Sequence, residues 1–241
     1  MVVKRWRGVL TLIQKRRPTA AFLLCLSLLY TYFWWVTEVQ WVVPTLNGTG
    51  PLKGKIICLD AGHGGRDPGA VAGRVLEKDI NLDITKRVAV LLKKEGARPV
   101  LTRTRDKNMA YRPFQGSLQL AGLRERAHIA ERSGGHVFVS IHCNSEAEGK
   151  YSGPQTFYER GNSRSAQLAR LIQEELVQVR STGRQAIPGD YYLLSSARSP
   201  AVIVEVGFLS HARDRSLLTS PPFRQQVAEA IARGILRYFR E

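Results

Sequence analysis

The chain has little acid where it begins. Glu38 is the one acidic residue before Asp60, whereas Lys4, Arg5, Arg7, Lys15, Arg16 and Arg17 all come before Glu38. Cysteine is scarce too. Cys25, Cys58 and Cys143 show no CxxC spacing, which excludes a zinc ribbon and a thioredoxin-type motif. Cys25 sits in an apolar run and the other two in apolar, strand-like segments. Buried free thiols acting as small hydrophobes are therefore expected in preference to a Cys58–Cys143 disulfide. There is no internal repeat, no low-complexity tract and no separate binding module. The motifs of nucleic-acid-binding folds are missing as well, so no nucleic-acid partner is expected despite the charge.

What is present is basic. The 241 residues carry 36 Lys+Arg against 20 Asp+Glu, a formal net charge of +16. A basic surface suits an anionic partner such as anionic lipid, wall polymer or nucleic acid, and charge alone does not choose among them. A solvated basic surface is the ordinary reading. With 44% hydrophobic and 23% charged residues, disorder is not expected. The length fits one compact domain plus an additional segment.

That segment lies at the start. Residues 19–36, TAAFLLCLSLLYTYFWWV, carry no charge and match one membrane span in length. The basic flank, residues 1–18, is expected in the cytoplasm and the remainder outside. Tyr30, Tyr32, Trp34, Trp35 and Trp41 crowd the outer end, as interfacial aromatics do. A cleaved signal peptide competes with this reading, but bulky aromatics stand where a small-x-small site would follow the run. An uncleaved signal-anchor over 19–36 is expected. Residues 37–53, with Pro44, Gly48, Gly50 and Pro51, read as a linker, and 54–241 as the main domain.

From Lys55 the signals alternate between strand and helix. Lys55–Asp60 is a short apolar run, like a buried strand. Glu77–Glu95 places Ile80, Ile84, Val88 and Leu91 at helical spacing before Gly96. Strands are expected at Pro99–Thr102, Val137–His142, Gly153–Glu159, Tyr191–Leu194 and Ala201–Val206. Helices are expected at Leu118–Arg132, Ser163–Arg180 and around Phe223–Ile235. Such alternation points to an α/β fold, a mostly parallel sheet with helices on both faces.

In such sheets, sites form beyond the carboxyl ends of the strands. Three strands here end in or carry polar residues: Asp60-Ala61-Gly62-His63, Ser140-Ile141-His142 and Val204-Glu205-Val206. Glu77 opens a helix that can reach the same cleft. Two histidines and a carboxylate form a common catalytic zinc set that leaves a position for water, and a further carboxylate can relay the proton. The residues alone leave open which glutamate does which. Glu205 is the most telling, because an unpaired carboxylate in an apolar strand is costly unless it is functional or ion-paired. Glu77 could equally be an ordinary acid at a helix N-terminus.

The segments LDAGHGGRDPGAV (59–71), LEKDINL (76–82), SIHCNS (140–145) and VIVEVGFLSH (202–211) closely resemble the zinc-dependent N-acetylmuramoyl-L-alanine amidases. The likeness runs over nearly all of 53–241. It implies that His63, Glu77 and His142 bind Zn2+ and that Glu205 is the catalytic acid/base. It also implies a three-layer α/β/α domain around a six-stranded sheet. The substrate would be peptidoglycan, cut between N-acetylmuramic acid and L-alanine. The chain looks most like the germination-specific spore-cortex enzymes, through its short anchored N-terminus, its single compact domain, GKIICLDAGHGG (54–65) and GILRYF (234–239). Their work leads to muramic-δ-lactam. An activator protein is a further partner to consider, and a non-catalytic wall-binding scaffold of the same fold is the alternative.

Other polar residues receive ordinary readings. Asp60 and Asp67 are expected to organise the first loop, with Asp60 a candidate partner for a ligand histidine. Arg103 and Arg126 are substrate or structural residues. His128, His136 and His211 read as packing or surface residues. His211 stands where the family usually has Asn, and His128 and Glu131 lie in a helix that more commonly carries an Asn near its end.

Overall fold

The computed structural model describes residues 27, 28, 30, 31, 50–110 and 117–241. The expected anchor lies almost entirely outside these. Among the described residues no helix is long and apolar enough to cross a membrane. The chain divides into two units, Met1–Leu46 and Asn47–Glu241. The second contains everything described below.

Its elements in chain order are β1 (Ile56–Ala61), β2 (Val71–Ala72), β3 (Val75–Leu76), α1 (Glu77–Lys94), β4 (Arg98–Leu101) and α2 (Leu118–Arg132). There follow β5 (Val137–Asn144), β6 (Gln155–Tyr158), α3 (Ser163–Val179), β7 (Ile187–Pro188), α4 (Tyr192–Ser195), β8 (Ala201–Phe208), α5 (Ala212–Thr219) and α6 (Pro221–Tyr238). Six strands form one sheet in the order β4-β1-β5-β8-β6-β7, and β2 and β3 form a small hairpin. Every neighbouring pair of the large sheet is parallel except β6 with β8.

Strand periodicity divides the side chains between two cores. Ile57 and Leu59, Val137, Val139 and Ile141, and Val202, Val204 and Val206 pack with apolar residues of α1, α3 and α6. Cys58, Phe138, Ala201 and Ile203 face the other way, against Leu123, Ala127 and Ala130 of α2 and Leu193 and Leu194 of α4. Helices therefore cover both faces, giving three layers. The second face is thinly covered. Cys58 belongs to one core and Cys143 to the other, and both are free and buried. Burial first, then the charge of Asp60, pushes the Cys58 thiol up to about 12, so it stays a neutral packing group.

Two expectations need correction. Tyr191–Leu194 is not a strand: Tyr192–Ser195 forms a short helical turn. Consecutive Leu193 and Leu194 are both buried, and a strand would have sent one of them to the opposite face. The strand in this stretch is instead Ile187–Pro188, just before Gly189, at the sheet edge beside β6. The end of the expected linker also packs. Leu52 is fully buried, and its N–H donates to the Glu95 carbonyl at 2.9 Å.

Candidate metal centre

Parity along three adjacent strands builds the site. Asp60 of β1 pairs in register with Ser140 of β5, and His142 of β5 pairs with Glu205 of β8. All four share the parity of Cys58, Phe138 and Ile203, so they point to the thin face. His63 follows two residues after β1. Glu77 enters as the first residue of α1, where its N–H donates to the Ala70 carbonyl at 3.0 Å.

His63, Glu77 and His142 come together. His63 Nε2 lies 3.2 Å and His142 Nδ1 3.0 Å from the same Glu77 Oε1. One ligand atom from each residue falls within 4.8 Å of the other two. Donors bound tetrahedrally at zinc–nitrogen and zinc–oxygen distances stand about 3.4 Å apart. The donor types and their spacing thus fit a divalent ion. Glu77 is 3% exposed and firmly held. Its Oε2 accepts from the Ala70 N–H at 2.8 Å, and its Oε1 from Asn81 Nδ2 and the Cys143 N–H, both at 3.0 Å. Burial would raise its pKa, but the two histidines outweigh burial and hold it well below the usual carboxylate range. The same contacts, first with Glu77 and then with Asp67, overcome the burial of His63 and carry its pKa up to about 9.

The loop supporting His63 is strained and braced. His63 has φ 61°, a left-handed backbone that costs a non-glycine residue of order 1 kcal/mol. Its Nδ1 lies 2.8 Å from Asp67 Oδ2, which leaves Nε2 toward Glu77. Asp67, not Asp60, is therefore the partner of a candidate ligand histidine. Asp60 is fully buried and accepts from Thr102 and Ser140 hydroxyls, each at 2.6 Å, and from Arg126. Burial would raise its pKa, but Arg126 and the two hydroxyls together bring it below the usual value. Arg126 also donates to the carbonyls of Ala61 at 2.8 Å and His63 at 2.6 Å. Arg103 donates to the carbonyls of Ala61 and Gly62 at 2.9 Å and Lys78 at 2.7 Å. Arg126 is thus divided between Asp60 and the loop backbone, and Arg103 between that backbone and the first turn of α1.

Close approach makes glycine necessary at two points. A Cβ at Gly62 would stand 2.2 Å from His142 Cε1. Gly69 has φ +66°, and a Cβ there would meet Glu77 Oε2 at 2.4 Å.

Glu205 lies beside this group, 8% exposed, and its Oε2 has no hydrogen-bond partner among the described residues. Burial pushes its carboxyl up to about 7, with the negative charge of Glu77 adding to the shift and both histidines opposing it. His63, His142 and Glu205 open into a cleft of about 600 Å³, also lined by Arg66, Arg126, Tyr191 and Tyr192.

Asn81 was missed in the sequence, and Asp67 was read as a loop organiser without its histidine partner; each had a local signal. Asn81, four residues after Glu77 and hence on the same helical face, steadies both Glu77 and the Gly62 carbonyl. Asp67 stands four residues beyond His63. His211 is the N-cap of α5: its Nδ1 accepts from the Asp214 N–H at 3.3 Å, a task an Asn there would also perform. His128 is exposed, and Glu131 pairs at the surface with Arg198.

Comparison with known proteins agrees with this architecture. Residues 57–237 match the model of the N-acetylmuramoyl-L-alanine amidase family. The chain is 40% identical over 196 residues to the germination-specific N-acetylmuramoyl-L-alanine amidase of Bacillus subtilis, covering 79% of this chain and 82% of that protein. The CwlD amidase of Clostridioides difficile, solved in complex with the GerS lipoprotein, superposes with TM-score 0.73 at 38% identity, covering 76% of this chain and 98% of that one. The catalytic domain of CwlV, from Bacillus (Paenibacillus) polymyxa, gives TM-score 0.66 at 32% identity over 76% of this chain and 97% of that domain. A family match over most of the chain, carried by the fold that gathers two histidines and two glutamates into one cleft, makes this chain a member of the N-acetylmuramoyl-L-alanine amidases, hydrolases that act on peptidoglycan.

Proposed function

We propose that His63, Glu77 and His142 hold one zinc ion and that Glu205 moves the proton in hydrolysis of the N-acetylmuramoyl–L-alanine amide. The observation that carries this reading is the convergence of three donor atoms beside a buried carboxylate oxygen that no group among the described residues satisfies. A bound ion supplies Lewis acidity toward the scissile carbonyl and acidifies water. The protein's own groups do the rest. Asp67 fixes the ring of His63 through Nδ1, and Asn81 and two backbone N–H groups fix Glu77. Glu205 Oε2 takes the proton of the attacking water and returns it to the departing alanine nitrogen. A carboxyl near 7 is matched to both transfers at neutral pH.

The setting follows from the relatives. The Bacillus subtilis protein is named germination-specific, so we place this chain in spore-cortex maturation, on the route to muramic-δ-lactam. Residues 19–36 anchor it, with the catalytic unit on the extracytoplasmic side. The Clostridioides difficile enzyme was solved with a lipoprotein, and a lipoprotein activator is the partner we infer here.

The test measures zinc content and stem-peptide release together, on the full-length chain in detergent with the lipoprotein of its own host added. About one zinc per chain with release of peptides is expected. A metal-free chain that still releases peptide refutes the zinc assignment, and a zinc-loaded chain that releases none refutes the reaction.

A further inference from the structure

Two charged residues of the cleft make no ion pair among the described residues, the buried Glu205 and one cation, Arg66. Its charged lining residues are His63, Arg66, Asp67, Arg126, His142 and Glu205. Asp67 is engaged with His63 and with the Gly69 N–H at 3.1 Å. Arg126 is locked to Asp60 and the loop carbonyls. Behind the same loop, Lys78 is paired with Asp106 at 2.7 Å. Arg66 is exposed and makes no ion pair among the described residues.

Its position is nevertheless fixed. The Arg66 N–H donates to Asn108 Oδ1 at 2.7 Å, and the Gly65 N–H to Asp106 Oδ1 at 2.6 Å. Gly64 and Asp67 close the turn through reciprocal backbone bonds of 2.9 and 3.2 Å. The sequence thus places a fixed backbone, carrying an uncommitted guanidinium, three residues from His63. Arginine in such a place suits a carboxylate, which it can bind in a bidentate manner.

Resting on the reading of the reaction above, we propose that Arg66 is a specificity-determining residue that binds a free carboxylate of the stem peptide beyond its L-alanine. The amide to be cut leaves the peptide on one side of the reacting carbon, and stem peptides are acidic. A cation held at the cleft wall therefore selects substrates whose carboxylates are free over those whose carboxylates are amidated.

The experiment uses the full-length, zinc-supplied chain in detergent with its lipoprotein activator. The substrates are short peptidoglycan strands whose stems are trimmed to L-alanyl-D-glutamate, and the same strands with both carboxylates converted to amides. The parent is expected to show a kcat/KM at least about tenfold higher on the free acid, the scale of a hydrogen bond to a charged group. Arg66→Gln is expected to bring that ratio to about one through KM, and Arg66→Lys to keep part of it. A parent ratio near one overturns the proposal. So does an Arg66→Gln variant that loses rate equally on both substrates and keeps the ratio. A parent that cuts neither strand removes the amidase reading itself, and the subsite with it.

Discussion

At the scale of single residues, Glu205 is where stability and the proposed proton transfer oppose each other. A carboxyl whose folded pKa lies near 7, above its unfolded value, favours the unfolded chain as pH rises. That penalty begins above the unfolded pKa of about 4.3 and is complete once pH exceeds the folded value. Glu205→Gln removes it. The variant is expected to keep its zinc, to lose about 10²–10⁴-fold in turnover, and to be about 1–3 kcal/mol more stable than the metal-free parent above pH 7. Metal analysis, turnover and thermal melts with and without chelator check the three parts. Loss of zinc in this variant would show that Glu205 is a ligand. Gly62 makes the complementary case. A methyl group there meets the His142 ring at 2.2 Å, so Gly62→Ala is expected to lower zinc affinity by about 10–100-fold. Competition with a chromogenic chelator measures this, and an unchanged affinity would mean that the ring has room to move.

At the scale of elements, helix α2 and strand β1 are tied together by the Asp60–Arg126 pair. Its disruption leaves a fully buried charge, so Arg126→Met is expected to destabilise the domain by about 3–5 kcal/mol. The pair also sets an acid limit. Asp60 has a folded pKa below its unfolded one, so its contribution is present above the unfolded value and is lost as pH falls through the folded one. Denaturant midpoints followed downward from pH 5 should fall in the parent and flatten in Asp60→Asn, which starts from lower stability. His211 is a smaller matter of the same kind. As the N-cap of α5 it is expected to tolerate Asn and to lose about 1 kcal/mol as Ala, readable from chemical denaturation.

At the scale of the whole molecule, the compact unit begins at Asn47. Residues 47–241 alone are expected to fold, bind zinc and melt within a few degrees of the full chain, while the full chain alone partitions with membranes. Sedimentation with vesicles separates the two. A full-length chain that stays in solution would refute the anchor over residues 19–36. The formal +16 charge is consistent with work against an anionic wall or lipid surface.

Much of this was decided locally. Apolar runs and helical stripes specify β1, α1, α2, α3, β8 and α6, because burial of one face is a property of spacing along the chain. The four candidate side chains were legible as polar residues at strand ends and at one helix start, and as four motifs in family order. Their partners were not. That Asp67 serves His63 while Asp60 serves Arg126 depends on which side of a left-handed turn each carboxylate falls. Residues 192–195 form a helical turn because both leucines are needed under the thin face of the sheet, and no periodicity in four residues encodes that. The sequence alone determined which groups are available for chemistry, since composition and spacing fix the strands that carry them. Only the tertiary structure decided which group each one answers to, because, apart from the four-residue pairs of His63 with Asp67 and Glu77 with Asn81, those contacts join residues 42 to 80 positions apart whose meeting depends on strand order and loop path.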